Sequence, residues 1–270
     1  MPIEQIIILA IVQGITEFLP ISSSGHLILV PVLTGWPDQG LVTDVMVHIG
    51  SLFAVIVYFW RDVLRLIGGT FDLLRLNMTT HARLALYIGL ATIPAVAFGL
   101  FLKLSGLADR MRGVEVVAWN AIIFGILMLV ADRLGPRKRV MEDMTLGPAL
   151  TIGLAQALAL VPGTSRSGVT MTAARALGFE RDEAARFSFL LGIPAIAGAG
   201  LFTVLELRES GQSVPFDAII AAVLTFFSAL GAIAFLMALL KRISFLPFVI
   251  YRLVLGGFLL FLAYGNVIAG

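Results

Sequence analysis

Long apolar runs limit the folds that this chain can adopt. Runs of the length that crosses a bilayer, roughly 17 to 25 residues, occur six times, at about 42–60, 84–104, 114–131, 187–205, 216–240 and 243–267. Since 59% of the 270 residues are hydrophobic and 13% are charged, there is too little polar surface to cover a soluble globule. The sequence therefore predicts an all-α, polytopic integral membrane protein, with residues 1–270 forming a single membrane-embedded domain.

Charge and cysteine content exclude several functional classes. The formal net charge is only +2, and no run of basic residues is typical of a nucleic-acid face, so we expect no nucleic-acid partner. Because the chain has no cysteine, disulfides, thiol catalysis and thiolate metal sites are excluded.

Two further apolar stretches are shorter, and each is broken by a Pro/Ser/Gly loop. The first comprises residues 3–19 and 26–36, and the second comprises 146–161 and 168–179. Segment 3–19 has enough residues to span alone, but the seven-residue apolar run after His26, residues 27–33, is too short. We therefore predict two re-entrant helical hairpins, at about 3–36 and 146–179, in addition to six full transmembrane helices.

The distribution of Lys and Arg predicts how the segments are oriented. Three connections are rich in these residues and should be cytoplasmic, and the 105–113 connection, with Arg110 and Arg112, is placed outside by alternation. The cytoplasmic groups are Arg61, Arg65, Arg75 and Arg83; Arg133, Arg137, Lys138 and Arg139; and Lys241 with Arg242. The two hairpins then enter from opposite sides, which predicts an inverted repeat.

A faint sequence repeat agrees with this arrangement. Phe18-Leu19-Pro20 followed by Ser22-Ser23-Ser24-Gly25 matches Leu160-Val161-Pro162 followed by Ser165-Arg166-Ser167-Gly168, with a spacing that differs by one residue. Broken helices at matching places in two inverted halves indicate a site near the membrane midplane, because irregular backbone at that depth must be buried or line a wet cavity.

The first loop offers groups for acid–base chemistry. Gln13 and Glu17 share one helix face, and Glu17 lies in the last turn before Pro20, where the helix dipole disfavours a carboxylate. We expect Arg166 or a divalent cation to compensate its charge, although a Glu that reaches interfacial water is an alternative. Ser22, Ser23 and Ser24 exceed what one N-cap needs. His26 can transfer a proton near neutral pH, or it can be a structural hydrogen-bonding residue.

The second loop is typical of an anion site. Ser165, Arg166 and Ser167 precede a helix that we expect to begin near Gly168, so hydroxyls, backbone N–H groups and a guanidinium converge, and Thr170 adds a hydroxyl. The alternative is an arginine that extends to the membrane interface.

Other polar residues are less informative. We interpret Asp44 and His48 as a local pair or as support for the site, and Asn120 as a packing residue. We interpret Arg175, Glu183 and Arg186 as cytoplasmic interface residues.

The two motifs carry a resemblance to a known family. Gly14-Ile15-Thr16-Glu17-Phe18-Leu19-Pro20-Ile21-Ser22-Ser23-Ser24-Gly25-His26 and Pro162-Gly163-Thr164-Ser165-Arg166-Ser167-Gly168 resemble the signature motifs of the bacterial undecaprenyl-diphosphatases of the bacitracin-resistance type. The similarity extends to Ile93-Pro94-Ala95, to residues 185–191 and to Ile193-Pro194-Ala195, and so covers essentially the whole chain.

The resemblance implies a membrane hydrolase that removes the terminal phosphate of undecaprenyl diphosphate. The product, undecaprenyl phosphate, carries peptidoglycan and other cell-wall precursors, and the activity confers bacitracin resistance. The resemblance also implies a divalent cation, Mg²⁺ or Ca²⁺, and a site that opens to the periplasmic or outer face of the cytoplasmic (inner) membrane.

Site residues follow from the resemblance and from the two loops together. The expected catalytic residues are Glu17, Ser23, His26 and Arg166; the expected substrate-binding residues are Ser22, Ser165, Arg166, Ser167 and Thr170; and the expected metal ligands are Glu17 and Gln13. Many relatives have Glu where this chain has Gln13, which removes one charge from the metal site. The choice between Ser23 and His26 as nucleophile or base stays open, as does that between a covalent intermediate and direct attack by water.

Two other functions are compatible with the same features. A secondary transporter or flippase of an anionic or lipid-phosphate substrate also uses inverted broken helices with midplane charges, and fold alone does not separate it from a hydrolase. A lipid-binding scaffold without turnover is a third class. The expected partners are undecaprenyl diphosphate and membrane lipid, and we also allow for a homodimer.

Overall fold

The fold is described from a computed structural model that covers residues 1–107, 111, 113–209 and 213–265. The described residues form α-helices joined by short connections. They are α1 Ile3–Phe18, α2 Ser23–Thr34, α3 Gly40–Tyr58, α4 Trp60–Leu74, α5 Thr80–Ser105, α6 Val114–Leu134, a 3₁₀ turn at Met141–Asp143, α7 Leu146–Leu158, α8 Arg166–Ala176, α9 Arg181–Glu209, α10 Phe216–Leu240 and α11 Leu246–Tyr264.

Six of the described helices are long and apolar enough to cross a membrane, which confirms the predicted number. They are α3, α5, α6, α9, α10 and α11. The largest difference in bounds concerns α9, which has 29 residues where the apolar run predicted 187–205. Asp182 and Glu183 lie in its first turn, where the helix dipole stabilises acidic side chains, so the helix extends well beyond its apolar part. Arg110 and Arg112 lie outside the described residues, and the orientation of their connection stays a prediction.

Helix α4 was missed by the sequence analysis, which treated residues 61–83 as a connection. Its exposed apolar side chains recur every three or four residues, at Leu64, Ile67, Phe71 and Leu74. Polar and charged residues between them interrupt the apolar run, so length and mean hydropathy do not reveal the helix. Its periodicity is typical of an amphipathic helix that lies at a membrane interface, and it packs against α5.

The two predicted hairpins correspond to two broken helix pairs, α1/α2 and α7/α8. With 11 to 16 residues each, these helices are shorter than a bilayer core requires. The second helix of each pair begins after a serine in the left-handed region, Ser22 with φ 77° and Ser165 with φ 72°. Each serine hydroxyl accepts the backbone N–H three residues later, from Gly25 and Gly168 respectively. The matching geometry aligns Ser22 with Ser165, while the re-entrant path through a bilayer stays a prediction.

The two halves of the chain interlock. Helix α1 packs against α10 of the second half, and α7 packs against α5 of the first half. Helix α3 also packs against α10, and α6 packs against α11. This crossed packing is what an inverted repeat requires, because each broken pair then lies between long helices of both halves.

Arg175, which the sequence analysis expected at the cytoplasmic interface, belongs to a buried charge cluster near the ends of α6 and α8. Its side chain is fully buried and donates from Nε to Asp132 Oδ1 at 3.2 Å. Arg181 also donates to Asp132, at 2.7 and 2.9 Å, and the backbone N–H of Phe245 contributes a further bond at 3.2 Å. A carboxylate on α6 compensates the charge of this buried arginine, and its depth at the cytoplasmic interface stays a prediction.

Close packing of α3 on α10 provides a test of this fold. A Cβ atom on Gly50 would lie 2.2 Å from the carbonyl oxygen of Ala222, whereas one on Gly68 of α4 would meet nothing within 4 Å. Because small residues allow helix backbones to approach each other in membranes, Gly50→Ala should destabilise the protein by about 1–3 kcal/mol. We expect a lower thermal unfolding midpoint in detergent for Gly50→Ala and no decrease for the control Gly68→Ala. Equal midpoints for the two variants would contradict the α3–α10 packing.

Candidate functional site

The two predicted loop motifs contact each other through Glu17 and Arg166. Arg166 Nη2 donates to Glu17 Oε1 at 2.9 Å, although the residues lie 149 positions apart in the chain. The Glu17 side chain is 5% exposed and that of Arg166 is 15% exposed. Glu17 lies in the last turn of α1 and Arg166 in the first turn of α8. The helix dipole disfavours a carboxylate at a helix C-terminus and a guanidinium at a helix N-terminus. The two opposite charges therefore stabilise each other here.

Further donors surround the Glu17 carboxylate. Its Oε2 atom accepts from Ser23 Oγ at 2.6 Å and from Gln13 Nε2 at 3.1 Å. His48 Nε2 lies 3.5 Å from the same oxygen. The structure therefore brings Gln13, Glu17, Ser23 and Arg166 together, as the two loops predicted, and adds His48.

The Arg166 guanidinium also contacts α9. Its Nη1 atom donates to the Ser188 carbonyl at 3.2 Å. A Cβ atom on Gly192 would lie only 2.1 Å from that nitrogen, so the absence of a side chain there makes room for the guanidinium. Since Gly192 lies about 16 Å along a helix of about 43 Å at 1.5 Å per residue, the guanidinium lies near the middle of a membrane-crossing segment.

The remaining predicted substrate-binding hydroxyls mostly hold the loops in place. Ser22 and Ser165 cap α2 and α8. Ser167 Oγ lies 3.1 Å from the carbonyl oxygen of Glu17 and 3.2 Å from that of Leu19, across the junction between the two loops. Thr170 Oγ1 lies 2.7 Å from the Arg166 carbonyl and 2.6 Å from Ser188 Oγ. These bonds fix the position of Glu17 relative to Arg166.

A cavity of about 310 Å³ opens beside the Glu17–Arg166 pair. Its polar end includes Glu17, Ser23, Ser24, Ser165 and Arg166, and the rest of the lining is largely apolar. The apolar wall includes Leu41, Val45, Ala95, Leu160, Ala195, Ile196 and Ala199. This combination suits a ligand with an anionic head and an apolar tail.

Buried aromatic rings lie on the other side of the pair. Phe18 and Phe189 pack edge to face with ring centroids 5.2 Å apart, and Phe59 lies 6.0 Å from Phe189. Phe18 and Phe189 are fully buried. Because Phe18 follows Glu17 on α1 and Phe189 follows Ser188 on α9, this buried apolar cluster lies directly beside the polar site.

His26 lies outside this cluster. Its Nδ1 atom donates to the Ser22 carbonyl at 2.6 Å, and its Nε2 atom lies 2.6 Å from the hydroxyl of Tyr251. Neither nitrogen contacts Glu17 or Arg166, and His26 does not line the cavity. The structural interpretation considered from the sequence accounts for these contacts, and a catalytic role for His26 stays a prediction.

His48 is a cavity residue that the sequence analysis treated as minor. Its Nδ1 atom lies 2.7 Å from the Asp44 carbonyl, and since a carbonyl only accepts, Nδ1 carries a proton. The other nitrogen, Nε2, therefore faces Glu17 either as a proton acceptor or as part of an imidazolium–carboxylate pair. Its position one turn after Asp44, on a helix with an otherwise apolar sequence, was the only signal available.

Arg252 is a second residue that the sequence analysis missed. It is fully buried in α11, and its guanidinium donates to backbone carbonyls of both loops: Nη1 to Pro20 at 3.2 Å and to Thr164 at 3.0 Å, and Nη2 to Gly163 at 3.0 Å. Asn120, expected to be a packing residue, donates to Pro162 O at 3.1 Å on the same loop. Arg252 therefore holds the two loops against each other from outside the cavity.

One buried oxygen beside Glu17 has no partner among the described residues. It is Gln13 Oε1, whose neighbour Nε2 donates to Glu17. An amide oxygen and a carboxylate are ligands that Mg²⁺ and Ca²⁺ accept, and Mg²⁺ is often held by one or two carboxylates plus substrate phosphate oxygens. Gln13 and Glu17 therefore fit the predicted cation, although within the described chain no group of three or more His, Cys, Asp or Glu side chains is arranged for a metal.

Comparisons with known proteins identify the family to which this chain belongs. The family "Bacitracin resistance protein BacA" matches residues 6–258. A protein of Erythrobacter litoralis named undecaprenyl-diphosphatase is 52% identical over 93% of this chain and 96% of its own. Two others with that activity in their names come from Jannaschia sp. (49% identical; 98% of this chain, 100% of its own) and Rhodospirillum rubrum (51%; 96% and 95%). With a match across nearly its whole length, the chain belongs to the bacitracin resistance protein BacA family.

Proposed function

We propose that this protein hydrolyses undecaprenyl diphosphate to undecaprenyl phosphate and inorganic phosphate. The observation that carries the proposal is the buried Glu17 carboxylate, bonded on one side to the Ser23 hydroxyl and on the other to the Arg166 guanidinium, at the end of an apolar cavity. The names of the relatives support this substrate. In a bacterium, the reaction would recycle the lipid carrier for peptidoglycan synthesis and confer resistance to bacitracin.

Arg166 and Ser165 bind the diphosphate in this proposal. Arg166 presents a guanidinium in the first turn of α8, where the helix dipole also favours an anion. The prenyl chain lies along the apolar wall near Leu41, Ala95 and Ile196. As charge develops on the terminal phosphate, Arg166 stabilises it from a fixed position, which is the effect that typically contributes most to enzymatic rate.

Glu17 takes a proton during the attack on the terminal phosphorus. In one route Ser23 Oγ forms the new P–O bond, its proton passes to Glu17 Oε2, and the bridging P–O bond breaks to release undecaprenyl phosphate; water then hydrolyses the phosphoserine. In the other, Glu17 activates a water that attacks directly. Ser23 Oγ, at 2.6 Å from the carboxylate, has the position that the first route needs.

A divalent cation, Mg²⁺ or Ca²⁺, would be held by Gln13 Oε1 and Glu17 together with phosphate oxygens of the substrate. When bound, the cation supplies positive charge that neutralises the diphosphate. Gln13 offers only a neutral oxygen, so the chain's own contribution to cation affinity is smaller than with two carboxylates, and more of it depends on the substrate. Homodimer formation stays a prediction.

We also propose that the cavity opens to the periplasmic or outer face of the cytoplasmic membrane. It is lined by Leu41, Asp44 and His48 near the start of α3 and by Ala199 and Gly200 in the second half of α9. The opposite ends of those helices adjoin Arg61 and Arg181. Because basic connections are retained in the cytoplasm, the cavity lies toward the other side.

One observation favours a transporter or flippase as a second candidate. A separate cavity of about 520 Å³, lined by Asp62, Arg83 and Arg186 among others, lies toward the basic end of the molecule. Along the chain, Phe189 lies between Arg186 of this cavity and Ala195 of the first, and Phe59 lies between His48 and Asp62, as gate residues for alternating access would. Detergent-solubilised protein distinguishes the two functions, since a transporter alone releases no phosphate there.

Removal of either charge in the buried pair should abolish most of the activity. For Arg166→Ala and Glu17→Ala we expect kcat for phosphate release from undecaprenyl diphosphate to fall by about 10²- to 10³-fold, the loss typical of one stabilising donor. Arg75→Ala, which removes an exposed arginine that lines neither of the two cavities, is the control and should retain wild-type activity. Phosphate release from Arg166→Ala at the wild-type rate would reject the proposed role of the pair.

Arg252→Lys should impair the reaction although the residue does not line the cavity. Lysine keeps the charge, but it cannot reproduce a planar guanidinium that contacts carbonyls on both loops. We expect kcat to fall at least about 10-fold because the loops are no longer held in the reactive geometry. A second variant, Tyr251→Phe, removes only the hydroxyl that contacts His26 Nε2 and tests that contact separately. Wild-type kcat for Arg252→Lys would contradict the positioning role.

A further inference from the structure

The second broken pair contains a buried amide that has no partner. Gln156 in α7 is 2% exposed, and neither its Nε2 nor its Oε1 atom has a hydrogen-bond partner among the described residues. A buried polar group without a partner is destabilising, and such groups are rare in native proteins. Gln156 also forms part of the cavity wall, together with Arg166 and Ser165. The cavity is therefore where a ligand can supply the missing partner.

Gln156 and Gln13 have matching positions relative to the two capping serines. Each lies nine residues before the serine that caps the second helix of its pair, Ser22 for Gln13 and Ser165 for Gln156. Gln13 donates its amide N–H to Glu17 at 3.1 Å. The position of Glu17 is taken in the second half by Leu160 when residues are counted from the capping serines, and by Ala159 when the proline motifs are aligned; both residues line the cavity, and neither carries a carboxylate. Gln156 therefore has an amide N–H donor like that of Gln13, but no carboxylate beside it to accept the hydrogen bond.

The two sides of the cavity consequently differ in charge. The α1 side carries the Glu17 carboxylate, which repels an anion, while the α7/α8 side carries the Arg166 guanidinium, the Ser165 hydroxyl and the Gln156 amide. Gln156 is buried in this structure. Its side chain has three rotatable bonds, and rotation about them would turn the amide from the wall into the cavity. The group that would then replace the missing carboxylate is an anionic oxygen of the ligand.

We propose that Gln156 is a substrate-binding residue whose amide N–H donates to a non-bridging oxygen of the diphosphate, beside Arg166. The inference rests on the proposed function and adds to it a residue that neither loop motif contains. A hydrogen bond to a charged group contributes about 1.5–3 kcal/mol, which corresponds to roughly 10- to 100-fold in affinity.

The test compares wild type, Gln156→Leu and Gln156→Met with the control Leu154→Ala, which changes a lipid-exposed side chain of the same helix. Three quantities are measured on purified protein: KM and kcat for undecaprenyl diphosphate, the Kd of the non-hydrolysable analogue farnesyl methylenediphosphonate, and the thermal midpoint without ligand. For both Gln156 variants we expect KM and Kd to rise about 10- to 100-fold, with kcat changed less. Their midpoints should equal or exceed that of wild type, since an unpaired buried amide is lost.

The outcomes separate this inference from the proposed function. If wild type releases phosphate while both Gln156 variants bind the analogue within about twofold of wild type, the inference is overturned and the proposed function stands. A lower midpoint with unchanged Kd assigns Gln156 a structural role and likewise overturns it. If wild type binds the analogue but releases no phosphate, the hydrolase proposal fails, and a weaker Kd for the variants still supports Gln156 as a diphosphate ligand. Absence of both release and binding by wild type overturns both.

Discussion

The pairing of Glu17 with Arg166 is the interaction on which the rest of this structure depends. An isolated charge near the middle of a bilayer is costly, and removal of one partner of a buried pair leaves the other uncompensated. Both residues lie at helix ends whose dipoles disfavour their charge, so neither is stable there without the other. Two helices that are too short for a full span, one from each half of the chain, bring these ends together.

Other parts of the fold are explained by what this pairing requires. Ser167 contacts the carbonyls of Glu17 and Leu19, and Gly192 leaves room for the Arg166 guanidinium against α9. Arg252 neutralises no carboxylate among its described contacts; it donates to backbone carbonyls of broken-helix loops that would otherwise be unsatisfied in the interior. A buried cation that binds only carbonyls is therefore compatible with a membrane interior when irregular backbone needs donors.

Much of the fold and part of the site could be predicted from the sequence, for physical reasons. Crossing helices must be long and apolar, so the six spans were recognisable, and broken helices with Ser, Pro and Gly predicted the loops that hold Glu17, Ser23 and Arg166. Helix α4 was missed because its apolar residues alternate with charged ones. Arg252 was missed, and the burial of Arg175 was not foreseen, because their partners are backbone carbonyls and a distant carboxylate, which no local pattern indicates. His48 lies on α3, outside both motifs, and Gln156 lies six residues before Pro162 among apolar neighbours; tertiary packing brings both to the cavity.

The most direct measurement is a double-mutant cycle on kcat/KM with Glu17→Gln, Arg166→Gln and the combined variant. Residues that act as one unit are not additive. If Glu17 and Arg166 form a single reactive centre, the double variant should lose about as much activity as the worse of the two single variants. A loss equal to the product of the two single losses would show that the residues act independently and would contradict a shared centre.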